Sequence, residues 1–532
     1  MPTTDPRATD PAALDIPAAR PQATPGPPAE RDAAAGRQRS LQVLALGSLG
    51  VFVVFLDTTI VNIAFPTISR SFGTTTGHLA WVLNAYSLVF AAMLIPAGRL
   101  ADRYGRKRLF MVGLIGFAAM SALCGLAPNA GILIAGRALQ AIFSALVVPT
   151  SLALILPEFP AAKRHVAVGT WGMMGAAAAA LGPTIGALLT EYASWRWIFL
   201  VNIPICALIV LFGLRLLHES RDPQAHGFPD PAGIVLIAGI PALLSFAIIE
   251  GPDRGWTSTA VIAAFAIAAA LVPAFLWRSR HTARPVMDLQ LFKVRQFRLV
   301  NAATLLFSTA FYGMLLGNVI FLQTEWHYSV LRAALASAPS PLVVTLIART
   351  SSKLAGRIGY RPVLLAGSAA WTAGSVAFAL SISGTPHWLT DWLPWSILIG
   401  LGIGPTLPVQ SAASVQSLPA NRFAIGSAIN SSFRQLGAVL GISVFVAVLG
   451  NPTAARAIGA YHHIWWVFGA VGLASGLILL LPRLPRRSGW SLGTPTRPHA
   501  RPRSCRSRLH KLSPETTHES SVTSCPGHPR LW

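Results

Sequence analysis

Charged side chains are scarce in this sequence. Asp, Glu, Lys and Arg make up 11% of its 532 residues, whereas apolar residues make up 53%. An ordinary soluble domain contains about 25% charged residues. A soluble chain could not bury so much apolar surface, so the composition predicts that lipid surrounds most of the protein. The formal charge of +23 does not indicate nucleic-acid binding, because the basic residues lie in short gaps between apolar runs and in residues 482–532.

Cysteine and the motifs of enzymes are also sparse. Cys124 and Cys206 lie within apolar runs and Cys505 and Cys525 in a polar tail, and no metal-ligand spacing links them. Neither a metal site nor a disulfide framework is therefore expected. The sequence has no Gly-x-x-x-x-Gly-Lys-Ser/Thr loop, which excludes an ATP-driven transporter built on that loop. No Ser/His/Asp or metal-ligand constellation rises above chance, so we expect no enzymatic chemistry and no cofactor.

The sequence contains instead a series of fourteen apolar runs. Each is close to the roughly twenty residues that cross a bilayer as a helix. The tenth is the least regular, because Pro339, Pro341 and Arg349 interrupt it. The pattern predicts an all-α integral membrane protein with 14 transmembrane helices. The runs are 41–66, 79–98, 108–127, 130–155, 166–190, 197–217, 231–250, 258–277, 297–322, 332–350, 362–383, 393–415, 424–450 and 464–481.

The runs group as six, two and six, which predicts five parts of the chain. Residues 41–217 and 297–481 form two six-helix bundles, and residues 231–277 add two helices between them. Residues 1–40 and 482–532 are rich in proline, arginine and other polar residues, which is typical of disordered extensions. The basic tail either touches anionic headgroups or has no function, and the second interpretation is favoured.

The distribution of basic residues predicts the orientation. With an even number of helices, the loops on the side of both termini carry more Lys and Arg than the opposite loops, by roughly four to one. Adding or removing one helix would destroy this bias. The positive-inside rule therefore predicts a multi-pass protein of the cytoplasmic membrane with both termini in the cytoplasm.

The loop between the second and third helices, residues 98–107, carries a motif. A fainter echo at 356–361 follows the tenth helix, which suggests a duplicated six-helix unit. The glycines permit a tight turn, and Asp102 can accept hydrogen bonds from Arg106 or from a helix N-terminus. The loop fits the pattern Gly-x-x-x-Asp-Arg/Lys-x-Gly-Arg-Arg/Lys, so the chain resembles the major facilitator superfamily, in which this loop is thought to latch one conformational state. The alternative is a basic topology loop with ordinary capping. The defined positions are Gly98, Asp102, Arg103, Gly105, Arg106 and Lys107.

Further motifs make the chain resemble the fourteen-helix drug:proton antiporter family, the multidrug and quaternary-ammonium resistance exporters, over about residues 41–481. The first helix carries the signature-like run Leu56 to Pro66, and helix 13 carries Arg434-Gln435-Leu436-Gly437. The resemblance implies the major facilitator fold, with two six-helix bundles and two extra central helices. The helix 4 motif consists of Leu133, Arg137 and Gln140, with Ala141 and Phe143 where glycines are usual. The helix 5 motif associated with antiport consists of Gly169, Gly182, Pro183 and Gly186, with Ala178 and Ala187 at glycine positions.

Helix 5 also has a plainer interpretation. Its small residues and proline are typical of a closely packed, kinked helix. Both interpretations can hold, because a rocking domain interface needs such a helix.

Three ionisable residues stand well inside apolar runs: Asp57, Arg137 and Arg434. A charge at the bilayer centre costs at least about 2.5–3.5 kcal/mol, so such residues usually face a cavity and serve function. At 1.5 Å per residue, Asp57 and Arg137 both lie roughly 10–13 Å from the outer surface. The resemblance implies that helices 1 and 4 line the central cavity. We therefore expect Asp57 and Arg137 to pair as a proton switch, with a static ion pair as the structural alternative.

Other side chains are weaker candidates for substrate contact. Asn62 and Gln140 can hydrogen-bond a substrate or bridge two helices, and Tyr86 can line an aromatic cavity or simply pack. The candidate cavity residues are Asn62, Tyr86, Gln140, Arg434 and Gln435.

The function expected from these features is proton-coupled export of drugs, antibiotics or other amphipathic, often cationic, small molecules. The alternatives are proton-coupled uptake of a small metabolite and a non-transporting membrane sensor on the same fold. The expected partners are the substrate, protons and the bilayer, with no nucleic acid, and the protein is expected to be a monomer.

Overall fold

The computed structural model describes residues 27–160, 164–221, 230–282, 285–418, 422–450 and 452–481. All regular structure in these ranges is helical. Fourteen helices there are long and apolar enough to cross a membrane, which confirms the predicted fold class. They are α1 Arg37–Phe72, α2 Thr76–Tyr104, α3 Arg106–Gly125, α4 Ala130–Glu158, α5 Val166–Tyr192, α6 Trp197–Leu216, α7 Pro231–Arg254, α8 Thr259–His281, α9 Arg295–Thr324, α10 Val330–Ile358, α11 Tyr360–Ser381, α12 Trp388–Gln416, α13 Ile425–Leu449 and α14 Ala455–Leu480.

The start of the first helix differs from the prediction. The helix that contains α1 begins at Pro27, so the expected disorder of residues 1–40 is wrong from that residue onward. Alanine, glutamate and arginine in this stretch are strong helix formers, and proline is well suited to a first turn. Residues 1–26 and the predicted tail, 482–532, lie outside the described residues.

Proline shapes α10 without interrupting the span. Two helical segments, Val330–Ser337 and Pro339–Ile358, meet at Ala338. Pro339 therefore stands at the first position of a helix, where its missing N–H costs no hydrogen bond. The tenth span is longer than the sequence suggested, because the prolines begin a segment instead of ending one.

Two glycines in positive-φ turns support the predicted duplication. Gly105 joins α2 to α3 with φ 114°, and Gly359 joins α10 to α11 with φ 89°. Residues other than glycine rarely adopt such angles. The same direct turn thus recurs after the second helix of each six-helix group.

The helices pack in the following way. In the first group α1 packs on α4 and α5, and α4 also packs on α2 and α3. In the last group α9 packs on α13 and α14, and α11 packs on α12 and α14. The inserted helices α7 and α8 pack on each other, and α7 also contacts α2 and α13. The insertion therefore covers the seam where α2 meets α13.

Contacts between the groups mark one end of the molecule as closed. We call the end with residues 99–108 and 353–361 the basic end, and the other the opposite end. Near the opposite end, Gln323 Nε2 of α9 donates to the carbonyl oxygen of Ile63 in α1 at 3.0 Å. Buried residues of both groups, among them Phe65 and Trp326, belong to one hydrophobic cluster there.

Candidate functional site

The carboxylate of Asp57 lies in the interior of the first bundle and has no exposed surface. It accepts three hydrogen bonds from two other helices. Arg137 Nη1 of α4 donates to Oδ2 at 2.5 Å, and Gln140 Nε2 of α4 donates to Oδ1 at 3.1 Å. Asn202 Nδ2 of α6 donates to the same Oδ1 at 2.8 Å. The structure thus joins Asp57 and Arg137 as the sequence predicted.

Arg137 and Gln140 act as a unit because they are three residues apart and share one face of α4. Arg137 Nη1 also donates to Gln140 Oε1 at 2.7 Å. Gln140 Nε2 donates to Ser121 Oγ of α3 at 2.7 Å. Gln140 is therefore a bridge between helices in this conformation, which was one of the two roles considered for it.

Tyr86 of α2 closes the site from the side. Its ring lies under the guanidinium of Arg137, with Cζ 4.0 Å from the ring centroid, which is a favourable cation–π distance. Its hydroxyl donates to Ser144 Oγ at 2.8 Å. Tyr86 is 1% exposed, so it packs against Arg137 and does not line an open surface here.

Two members of this network were missed from the sequence. Ser121 and Asn202 are both fully buried, and Asn202 Nδ2 approaches Ser121 Oγ at 3.3 Å as well as Asp57. A polar residue within an apolar run was the available signal. Asn202 Oδ1 is buried without a hydrogen-bond partner among the described residues, which leaves one unused acceptor beside the carboxylate.

The other predicted cavity residues lie apart from this network. Asn62 Nδ2 donates to the carbonyl oxygens of Thr58 and Thr59 in its own helix, at 3.3 and 3.2 Å. Arg434 and Gln435 belong to α13 in the second bundle, where Arg434 Nη2 donates to Ser411 Oγ at 2.7 Å. The five candidates thus do not form one cluster.

The helix 5 motif divides into a packed part and an open part. A Cβ at Gly182 would lie 2.1 Å from Thr59 Oγ1, and one at Gly186 would lie 2.9 Å from the carbonyl oxygen of Ile60. Pro183 lies between them, inside the helix. Gly169 has open space around it. The packing part of the motif therefore holds α5 against the turn of α1 that follows Asp57.

The loop motif has an internal ion pair. Arg106 Nε and Nη2 donate to Asp102 Oδ1 at 3.0 and 2.9 Å, as predicted. Glu219, which the sequence did not single out, accepts from the backbone N–H groups of Lys107 and Arg108 at 3.1 Å each. A carboxylate at the N-terminus of α3 is favoured by the helix dipole. The segment after α6 thus docks on the loop motif.

The buried site combines one acidic group with three hydrogen-bond donors. Asp57 is a carboxylate compensated by one guanidinium and two amides, in a setting from which solvent is excluded. No group of three or more His, Cys, Asp or Glu side chains lies close enough to bind a metal in the part of the chain that the structure describes.

Comparison with known families agrees with this architecture. Residues 47–442 and 302–514 match the model of the Major Facilitator Superfamily, and the chain belongs to that family. It is a multi-pass membrane transporter and not an enzyme.

Relatives with known roles cover most of the chain. It is 35% identical over 414 residues to the multidrug resistance protein Stp of Mycobacterium tuberculosis, which covers 78% of this chain and 76% of the relative. It is 33% identical over 406 residues to the multidrug efflux pump LfrA of Mycolicibacterium smegmatis, covering 76% and 79%. It is 30% identical over 430 residues to the tetracenomycin C resistance and export protein of Streptomyces glaucescens, covering 81% and 79%.

Solved structures share the fold at low sequence identity. A POT family peptide transporter superposes with a TM-score of 0.61 at 16% identity, covering 85% of this chain and 99% of that one. The nucleoside transporter NupG superposes with a TM-score of 0.58 at 14% identity, covering 83% and 99%.

Proposed function

We propose that the protein is a proton-coupled antiporter of the cytoplasmic membrane that exports drugs, antibiotics or other amphipathic small molecules. The observation that carries the proposal is the buried carboxylate of Asp57, held by Arg137 in the first bundle. The printed names of the relatives, which include a multidrug efflux pump and an export protein, support the direction and the kind of substrate. The protein needs no cofactor beyond the proton gradient and acts as a monomer.

Three donors hold the carboxylate of Asp57, namely the guanidinium of Arg137 and the amides of Gln140 and Asn202. Proton uptake at this site therefore depends on how the three donors are held. A bundle movement that separates Asp57 from Arg137 releases the carboxylate to take up a proton, and a movement that rejoins them expels it.

Asn202 supplies a partner for the protonated form. A protonated carboxyl needs an acceptor for its O–H, and the buried Oδ1 of Asn202 has no other hydrogen-bond partner among the described residues. When the side-chain amide of Asn202 rotates, the acceptor Oδ1 takes the place of the donor Nδ2 beside Asp57. The site can then satisfy both protonation states with the same side chains.

The packing of α1 couples this site to the rest of the molecule. The turn that follows Asp57 is held against α5 at Gly182 and Gly186, and the backbone of Ile63 accepts a hydrogen bond from Gln323 of α9. A shift of α1 on protonation therefore acts on a helix of each bundle. Movements of packed helices of this kind produce alternating access.

The orientation supports export driven by the proton gradient. The basic end faces the cytoplasm by the positive-inside rule, with both termini on that side. The closed opposite end then faces outward, so this conformation receives substrate from the cytoplasm. Each positive charge that enters adds about 2.3 kcal/mol per 100 mV of membrane potential.

The test is transport in everted vesicles from cells that make the full chain, using a panel of dyes and antibiotics with an uncoupler as control. Asp57→Asn is expected to insert and bind substrate but to lose transport driven by the pH gradient. Asp391→Asn makes the same chemical change near the opposite end and is expected to keep it. Undiminished proton-coupled transport by Asp57→Asn would rule out the assignment, and substrate movement in the reverse direction would favour uptake.

A further inference from the structure

Arg434 of α13 has an incomplete set of partners. It is half-buried, and its Nη2 donates to Ser411 Oγ of α12 at 2.7 Å. Its Nε is buried and has no hydrogen-bond partner among the described residues. Within those same ranges, no carboxylate forms an ion pair with it. The guanidinium is thus a positive charge inside a membrane span, and one neutral hydroxyl is its only hydrogen-bond acceptor in the described part of the chain.

The buried arginine of the first bundle, by contrast, has several partners. Arg137 has the carboxylate of Asp57 at 2.5 Å, the amide oxygen of Gln140 at 2.7 Å and the ring of Tyr86 below it. Arg137 lies in the fourth helix of the first bundle, α4, whereas Arg434 lies beside the fourth helix of the second bundle, α12. Among the described residues, only the first bundle supplies its arginine with an acid. The charges of Asp57 and Arg137 cancel, so the charge of Arg434 remains uncompensated.

An uncompensated guanidinium in a span favours an anionic ligand. A charged side chain within a bilayer span is costly and is usually retained for function. Guanidinium groups form short, strong hydrogen bonds with carboxylates and other oxyanions, and these bonds strengthen where water is excluded. Ser411 fixes one nitrogen of the guanidinium, while the buried Nε remains without a partner. A cationic group at the same place would be repelled.

We propose that Arg434 binds an acidic group of the transported molecule, so that the substrates include amphipathic organic acids carrying a carboxylate or a comparable oxyanion. This inference rests on the proposed export function and narrows its substrate class. It differs from the expectation of often cationic substrates, because the negative charge on which that expectation depended is already paired with Arg137.

Binding of two forms of one dye tests the charge preference. The full chain is purified in detergent and titrated with a rhodamine free acid and with its methyl ester, which lacks the free carboxylate, and fluorescence polarisation is measured. The wild type is expected to bind the acid about tenfold more tightly or better, the scale of one charge-assisted hydrogen bond. Arg434→Gln is expected to remove this preference. Arg456→Gln removes the same charge at an exposed position and is expected to retain it.

Three outcomes overturn the proposal: equal affinity for both dyes, tighter binding of the ester, and an unchanged preference in Arg434→Gln. Competition by sodium chloride as effective as that by sodium benzoate also overturns it, because the site would then hold an inorganic ion. The assay uses no proton gradient. If Asp57→Asn loses coupled transport but the wild type shows no preference for the acid dye, this inference is refuted and the proposed export function is not.

A second variant supports the test without depending on a ligand. Ser411→Asp supplies the missing carboxylate beside Arg434. It is expected to raise the Tm of the detergent-solubilised protein and to abolish the preference for the acid, whereas Ser411→Ala only removes the hydrogen bond to Arg434 and is expected not to raise the Tm. If neither dye binds the wild type, this Tm decides the question. A higher Tm of Ser411→Asp supports the presence of an uncompensated charge at Arg434 that can bind an anion. An unchanged or lower Tm overturns the proposal.

Discussion

Gly182 of α5 lies so close to Thr59 of α1 that a Cβ at the glycine would stand 2.1 Å from the threonine hydroxyl oxygen. Thr59 is two residues beyond Asp57, the buried acid of the first bundle. The hydroxyl donates to the backbone of its own helix, to Phe55 at 3.1 Å and to Leu56 at 3.2 Å. The glycine is therefore needed for the approach of two helices close to Asp57.

Filling this contact should destabilise the protein. Gly182→Ala is expected to cost about 1–3 kcal/mol, because an added methyl group in a closely packed interface forces side chains or backbones apart. The Tm of the solubilised protein measures the loss. Adding Thr59→Ala to the Gly182→Ala variant removes the opposing hydroxyl and is expected to restore most of the lost Tm. Gly169→Ala on the same helix meets no atom within 4 Å and should leave the Tm unchanged or slightly higher. Equal losses at Gly169 and Gly182 would contradict this account.

The buried ion pair should reveal itself in a double-mutant comparison. Asp57→Asn leaves the guanidinium of Arg137 buried without its counter-charge, which is expected to cost about 3–5 kcal/mol. Arg137→Gln added to that variant removes the stranded charge and should recover part of the loss. Transport should be absent in both variants, because neither carries the carboxylate. A double variant less stable than Asp57→Asn would show that the pair contributes through something other than charge.

Tyr86 should act through its ring more than through its hydroxyl. Tyr86→Phe keeps the ring 4.0 Å below the guanidinium and loses the hydroxyl with its bond to Ser144, so a cost of about 0.5–1.5 kcal/mol is expected. Tyr86→Leu also loses the cation–π contact, which adds about 0.5–2 kcal/mol. Chemical denaturation of the secondary structure measures both. Equal losses in the two variants would show that the hydroxyl, which both variants lack, is the important group.

The sequence allowed the pairing of Asp57 with Arg137 to be predicted, because charges are rare in apolar runs and these two share a depth. It did not point to Ser121 or Asn202. The packing of the neighbouring helices decides whether a polar residue of a transmembrane helix faces lipid or another helix, and the sequence does not show that packing. Glu219 escaped notice for a different reason. It lies in a short linker, and its contact with the loop motif depends on where α6 ends relative to α3.

The turn at Gly105 should be more sensitive than its repeat at Gly359. Both glycines have positive φ, at 114° and 89°, so alanine at either is expected to cost about 1–3 kcal/mol in backbone strain. At Gly105 a Cβ would also lie 2.6 Å from the carboxyl group of Glu219, whereas at Gly359 no atom lies within 4 Å. Limited proteolysis and Tm should therefore show a larger effect for Gly105→Ala. In a Glu219→Ala background the two substitutions should have similar effects.

The ion pair between Asp230 and Arg278 should make stability depend on pH. Asp230 precedes α7, and its carboxylate accepts from Arg278 Nη2 at 2.7 Å with 3% of its side chain exposed. These hydrogen bonds lower the pKa of Asp230 below its ordinary value of 3.8. Because the folded pKa is the lower one, the pair contributes its full stability above the unfolded value and loses it as the pH falls through the folded value.

The difference in Tm between the wild type and Asp230→Asn measures this contribution directly. It should be largest and constant from neutral pH down to about pH 5, and it should shrink below about pH 4 as the carboxylate is protonated. Asp391→Asn, whose carboxylate forms no ion pair among the described residues, should give a small difference at every pH. A difference for Asp230→Asn that grew on acidification would mean that the folded pKa is raised, and the ion pair could not then be what fixes the start of α7 against α8.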